Sequence, residues 1–204
     1  MSFNVVIPAR LNSSRLKEKV LIEIHGIPMV IHVAQRASLS GAKNIVIATD
    51  DKKIVQVASH YNFKSVMTNK NHLSGTDRCL EASDINMWAD QDIIVNVQAD
   101  EPLIDPALID LVAKNVTESE SGYVTACSEF KSYKEFINPN NVKVVLDSHS
   151  HALYFSRSSI PYSSSKDLSH NNYAFHHLGI YAYRVKTLKK FCSFSISDLE
   201  RIER

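Results

Sequence analysis

Arg10, Ser13, Arg15 and Lys19 follow directly on the apolar run Asn4-Val5-Val6-Ile7-Pro8-Ala9. An arginine fork matches phosphate oxygens, and lysine adds a mobile point charge. The run before them reads as a short central strand, covered on both faces and stopped at its proline. In an open α/β sheet, ligands bind beyond the carboxyl ends of the strands. The cations therefore leave the strand where an anionic ligand would sit. A solvated cationic loop has the same composition, so both readings stand on these residues alone.

Two further stretches could carry chemistry. Ser74, Gly75, Thr76 and Arg78 lie where a loop should run into a helix from about Thr76. Amides at a helix start suit an anion or a base edge, although Ser/Thr with a nearby acid is also an ordinary cap. Asp92-Ile93-Ile94-Val95-Asn96-Val97-Gln98 reads as another central strand, followed by Ala99-Asp100-Glu101-Pro102. If the strand persists, alternation puts Gln98 and Asp100 on one side, with Asp100 at the carboxyl tip because Pro102 forbids continuation. Mg²⁺ takes one or two carboxylates plus substrate phosphate oxygens, so Asp100 is a candidate ligand. A simple Asp-Glu-Pro turn is the plainer alternative.

The elements that must position these residues alternate. Pro28 opens a helix bearing Met29, Val30, Val33, Ala34 and Ala37, ending before Gly41. Asn44 to Thr49 reads as a strand, Ile54 to Ala58 as part of a helix, and Phe63 to Met67 as a strand. Asp105-Pro106 starts a helix with the stripe Leu108, Ile109, Leu111, Val112 and Val116. This order predicts a mostly parallel sheet with right-handed crossovers. Tyr123 to Cys127 reads as a strand and Tyr133 to Phe136 as a helical turn. Residues 142–147 and 152–157 read as an antiparallel hairpin, Phe175 to Arg184 as a strand, and Val185 to Phe191 as a helix. Tyr162 to Asn172 is a polar loop. Ser197 starts a capped helix in which the chain stops.

With 204 residues, 44% hydrophobic and 22% charged, one globular domain with a real core is expected. A net charge of +1 carries no footprint for nucleic acid. No apolar run approaches about 18 residues, and the N-terminus enters a strand without signal-peptide regions, so no membrane association is expected. Cys79, Cys127 and Cys192 are odd in number and widely spaced, which suits buried thiols in a reducing compartment. Walker A, G-x-G-x-x-G and C-x-x-C patterns are absent.

Ile7-Pro8-Ala9-Arg10, Ser13, Arg15-Leu16 and Lys19 resemble the entrance motif of sugar nucleotidylyltransferases, I-P-A-R-x-x-S-x-R-L-P-x-K. The chain most resembles the 3-deoxy-manno-octulosonate (Kdo) cytidylyltransferases. Ser74 to Arg78 is similar to their Ser-Gly-Thr-Glu/Asp-Arg segment, and Val95 to Pro102 to their V-N-V-Q-G-D-E-P. Blocks at Asn138 to Asp147, Ala152 to Arg157 and Phe175 to Arg184 extend the resemblance over essentially the whole chain. Departures are Lys17-Glu18 for Pro-Gly, Val20 for Pro, Ala99 and Ala182 for Gly, and His176 for Arg.

The resemblance implies an α/β, Rossmann-like nucleotide-diphospho-sugar transferase fold with an antiparallel excursion near 142–157. It implies transfer of CMP from CTP to Kdo, giving CMP-Kdo and pyrophosphate, with Mg²⁺ on Asp100. Arg10, Ser13, Arg15, Lys19, Ser74, Gly75, Thr76 and Arg78 would bind CTP, with Arg10, Lys19 and Asp100 catalytic. Gln98, Arg157, His177 and Tyr181 would hold the sugar, joined by Glu200 and Glu203 from the terminal helix. A cytoplasmic homodimer serving lipopolysaccharide synthesis is implied. Family members run further at the C-terminus, so a shortened chain of uncertain turnover is expected. Another acidic sugar, of the sialic-acid type, or a non-catalytic nucleotide-binding homologue are the alternative readings.

Overall fold

Val5, Val6 and Ile7 have no exposed surface, and they set strand β1 (Asn4–Ala9) in the middle of a sheet. The computed structural model describes residues 2–11, 16, 18–162 and 174–203. A 3₁₀ turn at Lys19–Leu21 follows, then the short antiparallel pair β2 (Glu23–Ile24) and β3 (Ile27–Pro28). His25 and Gly26 between them both have positive φ, 52° and 77°, where glycine is at ease. Helix α1 (Met29–Ala37) starts directly after Pro28 and buries Val30, Ile31, Val33, Ala34 and Ala37. It ends at Ser38, ahead of Gly41, whose amide donates to Asp110 Oδ1 at 2.8 Å.

β4 (Asn44–Thr49), α2 (Lys52–His60), β5 (Lys64–Met67), α3 (Gly75–Ile85), β6 (Ile93–Asn96) and α4 (Pro106–Glu118) continue the alternation. Each helix start has a local cause. Asp51 accepts from the Lys53 amide and Asp105 from the Ala107 amide, with Pro106 in the first turn. Leu111 of α4 is exposed, so the buried stripe is Ile109, Val112, Ala113 and Val116. After these come β7 (Tyr123–Ser128), α5 (Tyr133–Ile137), β8 (Lys143–Leu146), β9 (Ala152–Ser156), β10 (Ala174–Arg184), α6 (Val185–Cys192) and α7 (Asp198–Glu203).

The chain forms two compact units. The first holds residues 1–124 and 180–194, the second 125–179 and 195–204. In the first, strands run in the order β5-β4-β1-β6-β10. β1 pairs parallel with β4 and β6, β4 parallel with β5, and the end of β10 antiparallel with β6. The carboxyl ends of β1, β4 and β6 therefore point the same way. Val6, Ala48, Cys79, Ala82, Ile94, Tyr183, Val185 and Leu188 form a core there. In the second unit, β8 pairs antiparallel with β9 and with the beginning of β10. No helix of the described residues is long and apolar enough to cross a membrane.

Candidate active site

Parallel pairing brings the segments after β1 and β6 together. Arg10 is the first residue past β1, and its Nη2 donates to the Leu73 carbonyl at 3.1 Å, just ahead of α3. Lys19 opens the 3₁₀ turn, and its Nζ donates to Asp100 Oδ2 at 2.6 Å. Their side chains are 37% and 44% exposed, so both charges remain open to a ligand. Glu101 beside them has its carboxyl pushed above the ordinary range by desolvation first and by the Asp100 charge second. Among the described residues no three His, Cys, Asp or Glu side chains cluster to hold a metal. Asp100 and the adjacent Glu101 bring carboxyls to this edge, and Mg²⁺ takes only one or two such ligands, with the rest from substrate phosphates and water.

One detail corrects the strand reading. β6 ends at Asn96, and Glu101 N bonds Gln98 O at 3.3 Å to close a turn. Gln98 and Asp100 are placed by this turn, not by strand alternation.

The start of α3 is a complete capping box. Ser74 Oγ accepts from the Asp77 amide at 3.1 Å, and Asp77 Oδ2 accepts from the Ser74 amide, also at 3.1 Å. Gly75 has a packing reason: a Cβ there would lie 3.1 Å from Pro8 Cγ, so α3 begins against the end of β1. Thr76 hydrogen-bonds the buried Tyr183 phenol, whose pKa burial drives well above its ordinary value.

Arg78 is placed differently from its neighbours. Its side chain has no exposed surface, bonds Thr68 Oγ1, and pairs with Asp50 Oδ2 at 3.2 Å. Burial pulls its pKa down, and the Asp50 charge opposes this. Arg78 Nε and Asp50 Oδ1 are buried and have no hydrogen-bond partner among the described residues. The guanidinium therefore ties α3 to the segments after β4 and β5. Asp50 and Thr68 were not legible as members of this group, because Asp50 also explains itself as the stop after β4.

The residues expected at the sugar fall on both units. Gln98 and Tyr181 belong to the first, where the Tyr181 ring stacks on Tyr183 at 6.3 Å and leans on Tyr123 at 6.1 Å. Arg157, His177, Glu200 and Glu203 belong to the second. His177 Nε2 and Thr125 Oγ1 lie 2.9 Å apart, and its ring meets Phe155 edge-on at 4.8 Å. Burial first, then the neighbouring His176, lowers the His177 pKa to about 4. His176 instead stacks on Phe130 at 5.6 Å, so the two histidines serve different surroundings. Glu203 accepts from Ser156 Oγ at 2.6 Å, Tyr154 Oη at 3.0 Å and the Arg157 amide at 3.1 Å. The Glu200 amide bonds Ser197 Oγ at 3.1 Å, capping α7.

A family model described as cytidylyltransferase matches residues 4–204. The 3-deoxy-manno-octulosonate cytidylyltransferases of Proteus mirabilis and Nitratiruptor sp. are 43% and 47% identical to this chain. Each match covers 98% of it, and 81% and 83% of the relatives' own lengths. The chain belongs to this cytidylyltransferase family. A solved structure of CMP:2-keto-3-deoxy-manno-octonic acid synthetase complexed with CTP matches with a TM-score of 0.89 at 36% identity, covering 100% of this chain and 82% of that one. A cytidylyltransferase from Leptospira borgpetersenii, at 19% identity and a TM-score of 0.62 over 98% of this chain and 67% of that one, shares the fold.

Two departures from the cytidylyltransferase motifs acquire a physical meaning. Glu18 has φ 54° and ψ 28°, the left-handed region that the motif's glycine enters freely. Its carboxylate is turned to Lys53 Nζ at 2.9 Å. Ala99 is buried and is not among the positive-φ residues, so the motif's glycine is not required there for its backbone angle. Ser13, Arg15 and Lys17 lie outside the described residues, as do residues 163–172 of the expected polar loop.

Proposed function

We propose that this cytidylyltransferase joins CTP and Kdo to give CMP-Kdo and pyrophosphate. The carrying observation is the Lys19–Asp100 pair, which sets a phosphate-type cation against a metal-type carboxylate at the strand tips of a chain in this family. The anomeric hydroxyl of Kdo attacks the α-phosphorus of CTP. The α-phosphate–pyrophosphate bond breaks, pyrophosphate leaves, and the hydroxyl proton passes to solvent. No protein nucleophile takes part, so the protein positions the reactants and stabilises charge.

In this reading Arg10 and Lys19 bind the triphosphate, together with Ser13 and Arg15. Ser74, Gly75 and Thr76 present the positive end of α3 to the nucleotide. Arg78 and Asp50 keep that helix start in place. Gln98, Arg157, His177 and Tyr181 hold the sugar acid, and Arg157 supplies the fork for its carboxylate. Asp100 would hold Mg²⁺, which when bound would neutralise charge on the phosphates. The neutral His177, kept so by burial, suits a hydrogen-bonding rather than an ion-pairing role. A soluble cytoplasmic homodimer completes the reading.

Pyrophosphate release tests it, measured across CTP and UTP with Kdo and sialic acid. Turnover with CTP and Kdo alone is the expected result. Turnover with sialic acid in place of Kdo would transfer the assignment to another acidic sugar. CTP binding without turnover on either sugar would leave only the nucleotide half of the reading.

A further inference from the structure

Lys143 is the first residue of β8, and none of it is exposed. A buried ammonium is costly unless its donors are bonded. Here it has three acceptors, the carbonyl oxygens of Asn138 at 3.0 Å, Asn141 at 2.9 Å and Arg157 at 2.6 Å. Burial still lowers its pKa. Replacing such a buried charge with a well-packed apolar residue often leaves stability unchanged or improved, so its three bonds point to placement more than to stability.

What it places is Arg157. Lys143 lies opposite Ser156 in the β8–β9 register, so its side chain reaches the carbonyl of the next residue. The amide of that same residue donates to Glu203 Oε2 at 3.1 Å, so Arg157 is gripped at both peptide groups by charged side chains. Its Nη1 donates to the Pro139 carbonyl at 3.0 Å. Pro139 lies in the turn that Lys143 ties through Asn138 and Asn141. One ammonium thus sets both the backbone of Arg157 and the segment on which its guanidinium leans.

We propose that Lys143 is a positioning residue for the anionic sugar, acting through Arg157 without touching the substrate. This rests on the use of Arg157 for Kdo argued above. The test is Lys143→Met, which removes the charge and keeps the length. The KM for Kdo should rise by about tenfold, with the KM for CTP unchanged. Lys143→Met combined with Arg157→Ala should be no worse than Arg157→Ala alone, since both remove one function. Mass-mapped phenylglyoxal labelling of Arg157 should be faster in Lys143→Met than in the wild type, a readout free of turnover. If Lys143→Met fails to fold, Lys143→Gln is measured in its place, with the same expectations. Additive penalties would mean that Lys143 meets the sugar itself. Equal increases in both KM values, or unchanged labelling, would reduce Lys143 to a structural residue. Wild-type protein that does not turn over Kdo would overturn the functional reading, while the labelling would still decide whether Lys143 holds Arg157.

Discussion

Lys19 Nζ and Asp100 Oδ2 are 2.6 Å apart across 81 residues of sequence. The bond exists because β1 and β6 are adjacent and parallel, so their exit segments share one edge. Both side chains are more than a third exposed, and such a pair contributes only about 0–1 kcal/mol to stability. Its removal should therefore be read in the chemistry and hardly in the melting curve.

Asp100→Asn keeps the shape and removes the charge. Turnover at saturating Mg²⁺ should fall by at least about a hundredfold, a part of what a metal contributes to a charged transition state. Thermal melting should stay close to the wild type. Near-normal pyrophosphate release would take Asp100 out of the site.

Lys19→Ala should weaken CTP and leave the dependence on Kdo concentration unchanged. The loss should shrink as ionic strength rises, because screening already weakens the wild-type contact. A variant altered only in its Kdo dependence would reverse the assignment.

Glu18→Gly removes a side chain from left-handed backbone and a negative charge from the segment that follows β1. Relief of the αL strain is worth about 1 kcal/mol. The lost contact to Lys53 is an exposed surface pair that contributes little. Denaturant unfolding should show equal or greater stability, and titration should show tighter CTP binding. Weaker CTP binding would mean that Glu18 helps to order the loop.

Asp50→Ala leaves the buried Arg78 charge uncompensated. Breaking such a pair costs about 3–5 kcal/mol. Chemical unfolding should report a loss of that size, and Asp50→Leu with Arg78→Leu should recover much of it. A loss below about 1 kcal/mol, the range of an exposed pair, would show that solvent reaches the guanidinium.

His177 gives a pH dependence of definite sign. Its folded pKa of about 4 lies below the ordinary 6.5. Between those values the unfolded chain binds a proton that the folded chain refuses, so stability rises with pH through this window. The contribution is complete above about pH 6.5 and is lost as the pH falls towards 4, up to about 3 kcal/mol at 1.36 kcal/mol per unit. His176, also lowered, acts in the same direction. Unfolding free energies measured across this range should flatten in His177→Gln. An equally steep profile in that variant would assign the dependence to other groups.

Much of this protein was determined locally and could be read from the chain. Val5 to Ile7 and Ile93 to Val95 are apolar runs, so their strands needed no partner to be recognised, but β1 runs through Pro8 to Ala9 and does not stop at the proline as expected. Ser74 and Asp105 cap the helices they precede because capping reaches only two or three residues along the chain. Motif blocks brought Arg10, Lys19 and Asp100 into one hypothesis. The tertiary structure alone decided which charges meet. Asp50 and Arg78 are 28 residues apart, and the Lys143 ammonium reaches the Arg157 backbone carbonyl 14 residues on, so no periodicity links either pair. Burial decided the rest: it enclosed Arg78 against Asp50 and Thr68, and it made His177 a weak base. It also showed that Glu18 occupies a backbone conformation suited to glycine. Charge, burial and backbone angle are set by what packs around a residue, and that depends on distant segments no short stretch of sequence contains.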